Sequence, residues 1–111
     1  MQCGEIWFVD FEPSIGHEYQ KKRPAVIIQS DRQLKQSALV TMMPLTSQTG
    51  NRHRDDLLVR KNQQNRLFAD SIIKVHAIVS FDRSRFLKRI GKVDDIVMAS
   101  IKEYLKAHFD L

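Results

Sequence analysis

From Glu5 to Ser80 the apolar residues fall in short runs, broken every few residues by polar or proline-bearing stretches. Such a pattern leaves strands as the main building element, and strands must hide their edges. Residues 5–11 (EIWFVDF) alternate weakly and are rich in aromatic and β-branched side chains, a strand signal. Residues 24–29 (PAVIIQ) form a continuous apolar run whose proline suits a first strand position. Residues 38–45 (ALVTMMPL) predict a third strand, expected to stop near Pro44, which has no N–H to donate. Residues 30–37 (SDRQLKQS) link these two and have room for a helical turn. Residues 57–60 (LLVR) predict a short strand, and NQQN after it a turn. In residues 72–80 (IIKVHAIVS), Ile73, Val75, Ala77 and Val79 share one face, with Lys74, His76 and Ser80 on the other. That period of two predicts a half-buried strand. Only the end differs. In residues 93–109 (VDDIVMASIKEYLKAHF), Val97, Ile101, Leu105 and His108 make one stripe with Tyr104 beside them, which is helical spacing. Asp94 can cap that helix, and Val93 can staple onto Met98. The expectation is a mainly β fold, a small, partly open barrel of five to six short antiparallel strands with a C-terminal α-helix.

The chain of 111 residues shows no repeat, low-complexity tract or linker, so a single domain over residues 1–111 is expected. Its one cysteine, Cys3, excludes an internal disulfide and fits a reducing compartment. Residues 1–9 carry no signal-peptide pattern, and no apolar run approaches a membrane span. A soluble cytoplasmic protein, with no membrane partner, is the expectation. The net charge of +5 favours polyanionic partners: nucleic acid, an acidic protein, or both.

The stretch PSIGHEYQKKRPAVIIQ concentrates a Gly, a His, a Glu and the cations Lys21, Lys22 and Arg23 directly before Pro24. A residue before proline is held extended, so Arg23 sits at a defined strand mouth, where its planar fork of donors suits a phosphate. Pairing with Glu18 on the surface is the alternative. In PLTSQ, Thr46 and Ser47 lie where a core strand leaves the barrel, and their hydroxyls can bind a phosphate oxygen or close a local turn. Glu18 and Asp70 are candidate general bases, and either could instead serve in a surface salt bridge. His17 titrates near neutrality and can handle protons. His53, His76 and His108 show no ligand spacing, so no metal site is expected. Arg83, Arg85, Lys88, Arg89 and Lys92 read as a solvated face around Phe86, Leu87 and Ile90, with a phosphate track as the alternative. Residues 46–56 (TSQTGNRHRDD) carry no apolar side chain and predict a mobile surface loop. No P-loop, Rossmann glycine pattern or nucleophile elbow is present.

In order, GEIWFVDFEPSIGHE, RPAVIIQSD, PLTS, LFADSIIKV and a closing helix resemble the MazF/PemK (Kid-type) toxins of bacterial toxin–antitoxin pairs. The resemblance spans nearly the whole chain. It implies an SH3-like barrel, a homodimer, and a sequence-specific endoribonuclease that cuts single-stranded RNA and is neutralised by an acidic antitoxin. It implies no cofactor. By position, Arg23, Thr46, Glu18 and Asp70 fall on the family's catalytic residues. Pro13, Gly16, His17, Lys21, Lys22, Ser47, Gln48 and Arg52 fall on or beside its RNA-binding loops. The chain departs from the family at Ser71, where Gln is frequent, at Ile73, where a basic residue is frequent, and at Phe68, where Kid-type members carry arginine. More of the electrostatic work then falls on Arg23. A gyrase-targeting toxin of the same fold and a non-catalytic SH3-like module that binds RNA or peptide are the competing functions, because fold alone does not choose among them.

Overall fold

The structure is a computed structural model that describes residues 1–12 and 22–111. Its strands are β1 (Glu5–Asp10), β2 (Lys22–Ile27), β3 (Leu39–Thr46), β4 (Leu57–Val59), β5 (Ser71–Ile73), β6 (Val79–Asp82) and β7 (Phe86–Lys92), with helices α1 (Asp31–Gln36) and α2 (Asp95–Phe109). All pairings among the described residues are antiparallel, in the order β4-β5-β3-β2-β1-β7, with β6 also on β3. This is the expected mainly β, partly open architecture with its C-terminal helix, built from seven strands where five to six were expected.

The continuous apolar runs are explained by burial on two sides. From β2 and β3, Val26, Met43 and Leu45 enter one cluster with Ile6, Ile73 and Val93. Ala25, Ile27, Val40 and Met42 enter a second, with Val9, Phe11, Phe86 and Leu34 of α1. Strands covered on both faces need apolar residues at successive positions, so alternation disappears in the central strands. Helix α2 seals the first cluster: Ile101 is fully buried, and Val97, Met98, Tyr104 and Leu105 pack around it. Asp94 caps it as expected, its Oδ1 accepting from Val97 N–H at 2.8 Å. Gly91 of β7 lies under the turn at residues 62–65, where a Cβ would overlap the Asn65 carbonyl.

Three local expectations need correction. Strand β3 does not stop at Pro44. It changes partner there, from β2 (Ala25↔Pro44) to β5 (Leu45↔Ile73, Thr46↔Ile72), because a missing N–H breaks one ladder without preventing the strand from joining another. The strand expected over residues 72–80 is interrupted. Leu45 faces Ile73 and Met42 faces Val79, so three steps along β3 match six along its partner. The extra residues form a bulge that carries His76 outward, while Val75 remains buried. Finally, residues 86–92 form β7, paired to β1, and not a merely charged face.

Candidate functional site

Pro24 shapes the rim where β2 and β3 part. The ladder between those strands begins only at Ala25, so Lys22 and Arg23 are paired to β1 alone (Asp10↔Lys22, Val9↔Arg23). The half-buried Arg23 side chain reaches across the gap instead, and its Nη1 donates to the Leu45 carbonyl at 3.4 Å. The strand register therefore sets a guanidinium beside the last residues of β3. Thr46 is the next residue, held in place by its pairing to Ile72. Its Oγ1 accepts from Gln48 N–H at 3.1 Å, the local turn that Ser and Thr favour. That contact uses an oxygen lone pair and leaves the hydroxyl proton available for donation.

Lys22 is exposed at the start of β2, and Ser47, Gln48 and Arg52 are exposed in the loop that follows β3. Asp70 is exposed immediately before β5, and its Oδ1 accepts from Lys61 N–H at 2.9 Å. Pro13, Gly16, His17, Glu18 and Lys21 lie outside the described residues. Of the positions at which the chain departs from its resemblance, Ile73 is a core residue, Ser71 is buried and donates to the Ala69 carbonyl, and Phe68 is 93% exposed.

The loop between β3 and β4 is anchored at its Asp56 end. A short 3-10 turn (Thr49–Asn51) leads to Asp56, whose side chain is almost fully buried although its neighbours are polar. Asp56 Oδ2 accepts from Lys74 Nζ at 2.7 Å and from His53 N–H at 2.9 Å, while Arg52 Nε donates to the Asp56 carbonyl at 3.1 Å. An apolar-free segment can thus be anchored by one buried carboxylate and its charged partner. Burial opposes the Asp56 charge, but the Lys74 bond, the His53 and Val75 amides and the Lys74 charge outweigh it and hold the carboxyl below its ordinary 3.8. A depressed folded pKa stabilises the fold above the unfolded value, and that contribution is lost as pH falls through the folded one. The structure predicts that stability declines below pH ~4. Asp56→Asn should flatten that acid limb and reduce stability at neutral pH by roughly 1–3 kcal/mol. Urea unfolding of both proteins from neutral to acid pH measures this, and parallel curves would refute it.

The basic residues around β7 have specific partners. Arg89 Nε donates to Glu5 Oε2 at 2.8 Å, and Glu5 Oε1 accepts from Trp7 Nε1 at 3.0 Å. Arg85 donates to the carbonyls of Asp10 and Glu12 and lies over the Phe81 ring, 5.0 Å from its centre. Arg83 donates to the carbonyls of Leu34 and Ser37. These three arginines brace strand ends and α1, while Arg89, like Lys88, is also exposed to solvent. Of the apolar residues among these cations, Phe86 is buried in the core and Leu87 is exposed.

One convergence had no signal in the sequence. His53, His76 and His108 belong to the β3–β4 loop, the bulge and α2; His76 and His108 flank Tyr104, and His53 packs edge-on against His76. Their separations in the chain resemble no ligand motif, because only the bulge and the anchored loop bring them together.

A family model described as the PemK-like, MazF-like toxin of type II toxin–antitoxin systems matches residues 2–109. The chain is 32% identical to endoribonuclease MazF9 of Mycobacterium tuberculosis, over 100% of this chain and 98% of that protein. It is 25% identical to endoribonuclease EndoA of Bacillus subtilis, over 93% of this chain and 89% of that one. In fold it resembles the crystal structure of MazF from Deinococcus radiodurans, with a TM-score of 0.82 at 20% identity, covering 100% of this chain and 97% of that one. A mycobacterial endoribonuclease in complex with its cognate antitoxin superposes with a TM-score of 0.72 at 16% identity, covering 100% and 94%.

Proposed function

The chain belongs to the PemK-like, MazF-like toxins of type II toxin–antitoxin systems, and from that premise we propose that its Arg23–Thr46 rim cuts single-stranded RNA at a short sequence. The observation that carries this reading is the register that sets the Arg23 guanidinium on the Leu45 carbonyl, one residue from the Thr46 hydroxyl. A positively charged fork and a hydroxyl donor at one strand end match two non-bridging oxygens of a phosphodiester.

RNA supplies its own nucleophile. A carboxylate, Glu18 or Asp70, takes the proton of the 2′-hydroxyl, whose oxygen then attacks the adjacent phosphorus. Arg23 carries the growing charge of the phosphorane, and Thr46 donates to a second oxygen. His17 is the candidate acid that protonates the leaving 5′-oxygen. Arg23 is not given that proton, because a guanidinium pKa above ~12 makes it a poor acid at neutral pH. The bond from phosphorus to the 5′-oxygen breaks, leaving a 2′,3′-cyclic phosphate and a 5′-hydroxyl. No step needs a metal, so the cleavage rate in EDTA should equal that in added Mg²⁺.

Lys22, Ser47, Gln48 and Arg52, with Pro13, Gly16, His17 and Lys21, are assigned to the RNA path beside the scissile group. The protein works as a homodimer. Its antitoxin is an acidic chain that covers the same groove, which agrees with the +5 charge of the toxin.

Primer-extension mapping of a long RNA incubated with the purified protein tests the reading. Discrete cuts that share a short sequence are expected. RNA left intact while gyrase is inhibited would instead favour the gyrase-targeting toxin, and RNA bound but uncut the non-catalytic module.

A further inference from the structure

We propose that His53, Asp55 and His76 form a binding site for a divalent cation of the zinc class, which clamps the β3–β4 loop to the bulge before β6. Three ligand atoms converge there from separate elements. His76 Nε2 lies 3.1 Å from His53 Nδ1 and 3.5 Å from Asp55 Oδ2, and all three atoms are within 4.8 Å of one another. Metal–ligand bonds of about 2.0–2.1 Å in a tetrahedral site place ligand atoms about 3.3 Å apart. Two of the three edges already have that length, and a small rotation of one exposed side chain closes the third.

The donor set selects the metal. Two imidazole nitrogens and one carboxylate oxygen suit Zn²⁺, Ni²⁺ or Cu²⁺, whereas Mg²⁺ and Ca²⁺ require mainly oxygen. The surroundings also fit. A ligating histidine usually spends its other ring nitrogen on an outer hydrogen bond that fixes the tautomer. His76 Nδ1 is 3.0 Å from Tyr104 Oη, and Tyr104 Oη is 3.1 Å from His108 Nδ1. When His76 Nδ1–H donates to Tyr104, and Tyr104 O–H to His108, the Nε2 lone pair points at His53. The Asp55 amide donates to His53 Nδ1 at 3.4 Å, so that nitrogen is unprotonated and carries a lone pair, which a bound cation would take over from this long contact. Two lone pairs and a carboxylate facing one another define a place for a positive charge.

The site is preorganised by its neighbours. Asp56 and Lys74, adjacent or nearly adjacent to the ligands, are locked in the 2.7 Å ion pair. Backbone held on both sides limits the entropy lost when the metal binds. The clamp lies in the same loop as Ser47, Gln48 and Arg52, so a bound cation stiffens a wall of the proposed RNA path without entering the chemistry.

The test uses untagged full-length protein, stripped with a chelator, titrated with ZnCl₂ by calorimetry at neutral pH. One Zn²⁺ per chain is expected, with a dissociation constant of about 10 μM or tighter. His53→Gln and His76→Gln should each weaken binding by at least about 10-fold, and Tyr104→Phe by about 10-fold through the outer shell. Both histidines are exposed, so circular dichroism should report an unchanged fold. Cys3→Ser should bind as the wild type does. Binding that survives both histidine substitutions, binding lost in Cys3→Ser, or no heat with Zn²⁺ at millimolar concentration would each overturn the proposal, the last leaving a shared proton as the only bridge between the two rings.

Discussion

Replacing Arg23 with alanine should lower the rate of RNA cleavage by about 100- to 1000-fold, the usual cost of removing one well-placed donor to a developing anion. The expectation rests on geometry as well as charge. Pro24 holds the preceding residue extended, and the broken ladder leaves the Arg23 side chain to span the gap to Leu45. A mobile surface cation would be replaceable by its neighbour Lys22, but a guanidinium fixed at a strand end is not. Arg23→Lys should therefore recover little, since an ammonium lacks the planar fork and the reach. Alanine is compatible with extended backbone, and the Arg23 side chain is only half-buried. Thermal melting should accordingly show a folded protein with at most a modest loss of stability. A folded Arg23→Ala protein that cuts at the wild-type rate would remove the proposed site.

A substrate with one 2′-deoxynucleotide at the cut position should not be cleaved at all. The loss is larger than that of any protein side chain, because it deletes the nucleophile rather than a group that assists it. The same strand with the deoxy sugar one position away should still be cut, which separates chemistry from binding. Cleavage at the modified position would mean that water attacks, and the roles assigned to Glu18 and Asp70 would have to be redrawn around a bound water. Glu18→Gln and Asp70→Asn, compared on the unmodified RNA, identify the base. The Asp70 oxygen that accepts from Lys61 N–H already has a turn-forming duty, so its substitution should also be examined by melting.

Signals carried within a few residues were legible from the chain alone. The aromatic and β-branched alternation of β1, the apolar run of β2 and the stripe and Asp94 cap of α2 each specify local backbone geometry and mark residues for burial. The Arg23-Pro24 pair belongs here too, because proline restricts the residue before it wherever it occurs. The basic cluster at residues 83–92 shows the limit. Its charges suggested solvent, yet Arg85 and Arg89 bond to Asp10 and Glu5, 75 and 84 residues away. A side chain's charge does not reveal which distant carbonyl or carboxylate will meet it.

What the sequence determined by itself, then, was a mainly β chain with a terminal helix, a family resemblance, and an arginine aimed by a proline. Only the tertiary structure decided that β3 exchanges partners at Pro44, that a bulge interrupts residues 72–80, that one buried carboxylate anchors an apolar-free loop, and that His53, His76 and His108 meet. The reason is physical. Backbone preference and hydrophobic period are properties of neighbouring residues, whereas register, bulges and polar convergence depend on which strands pair, and that is settled by burial and hydrogen bonding over the whole molecule.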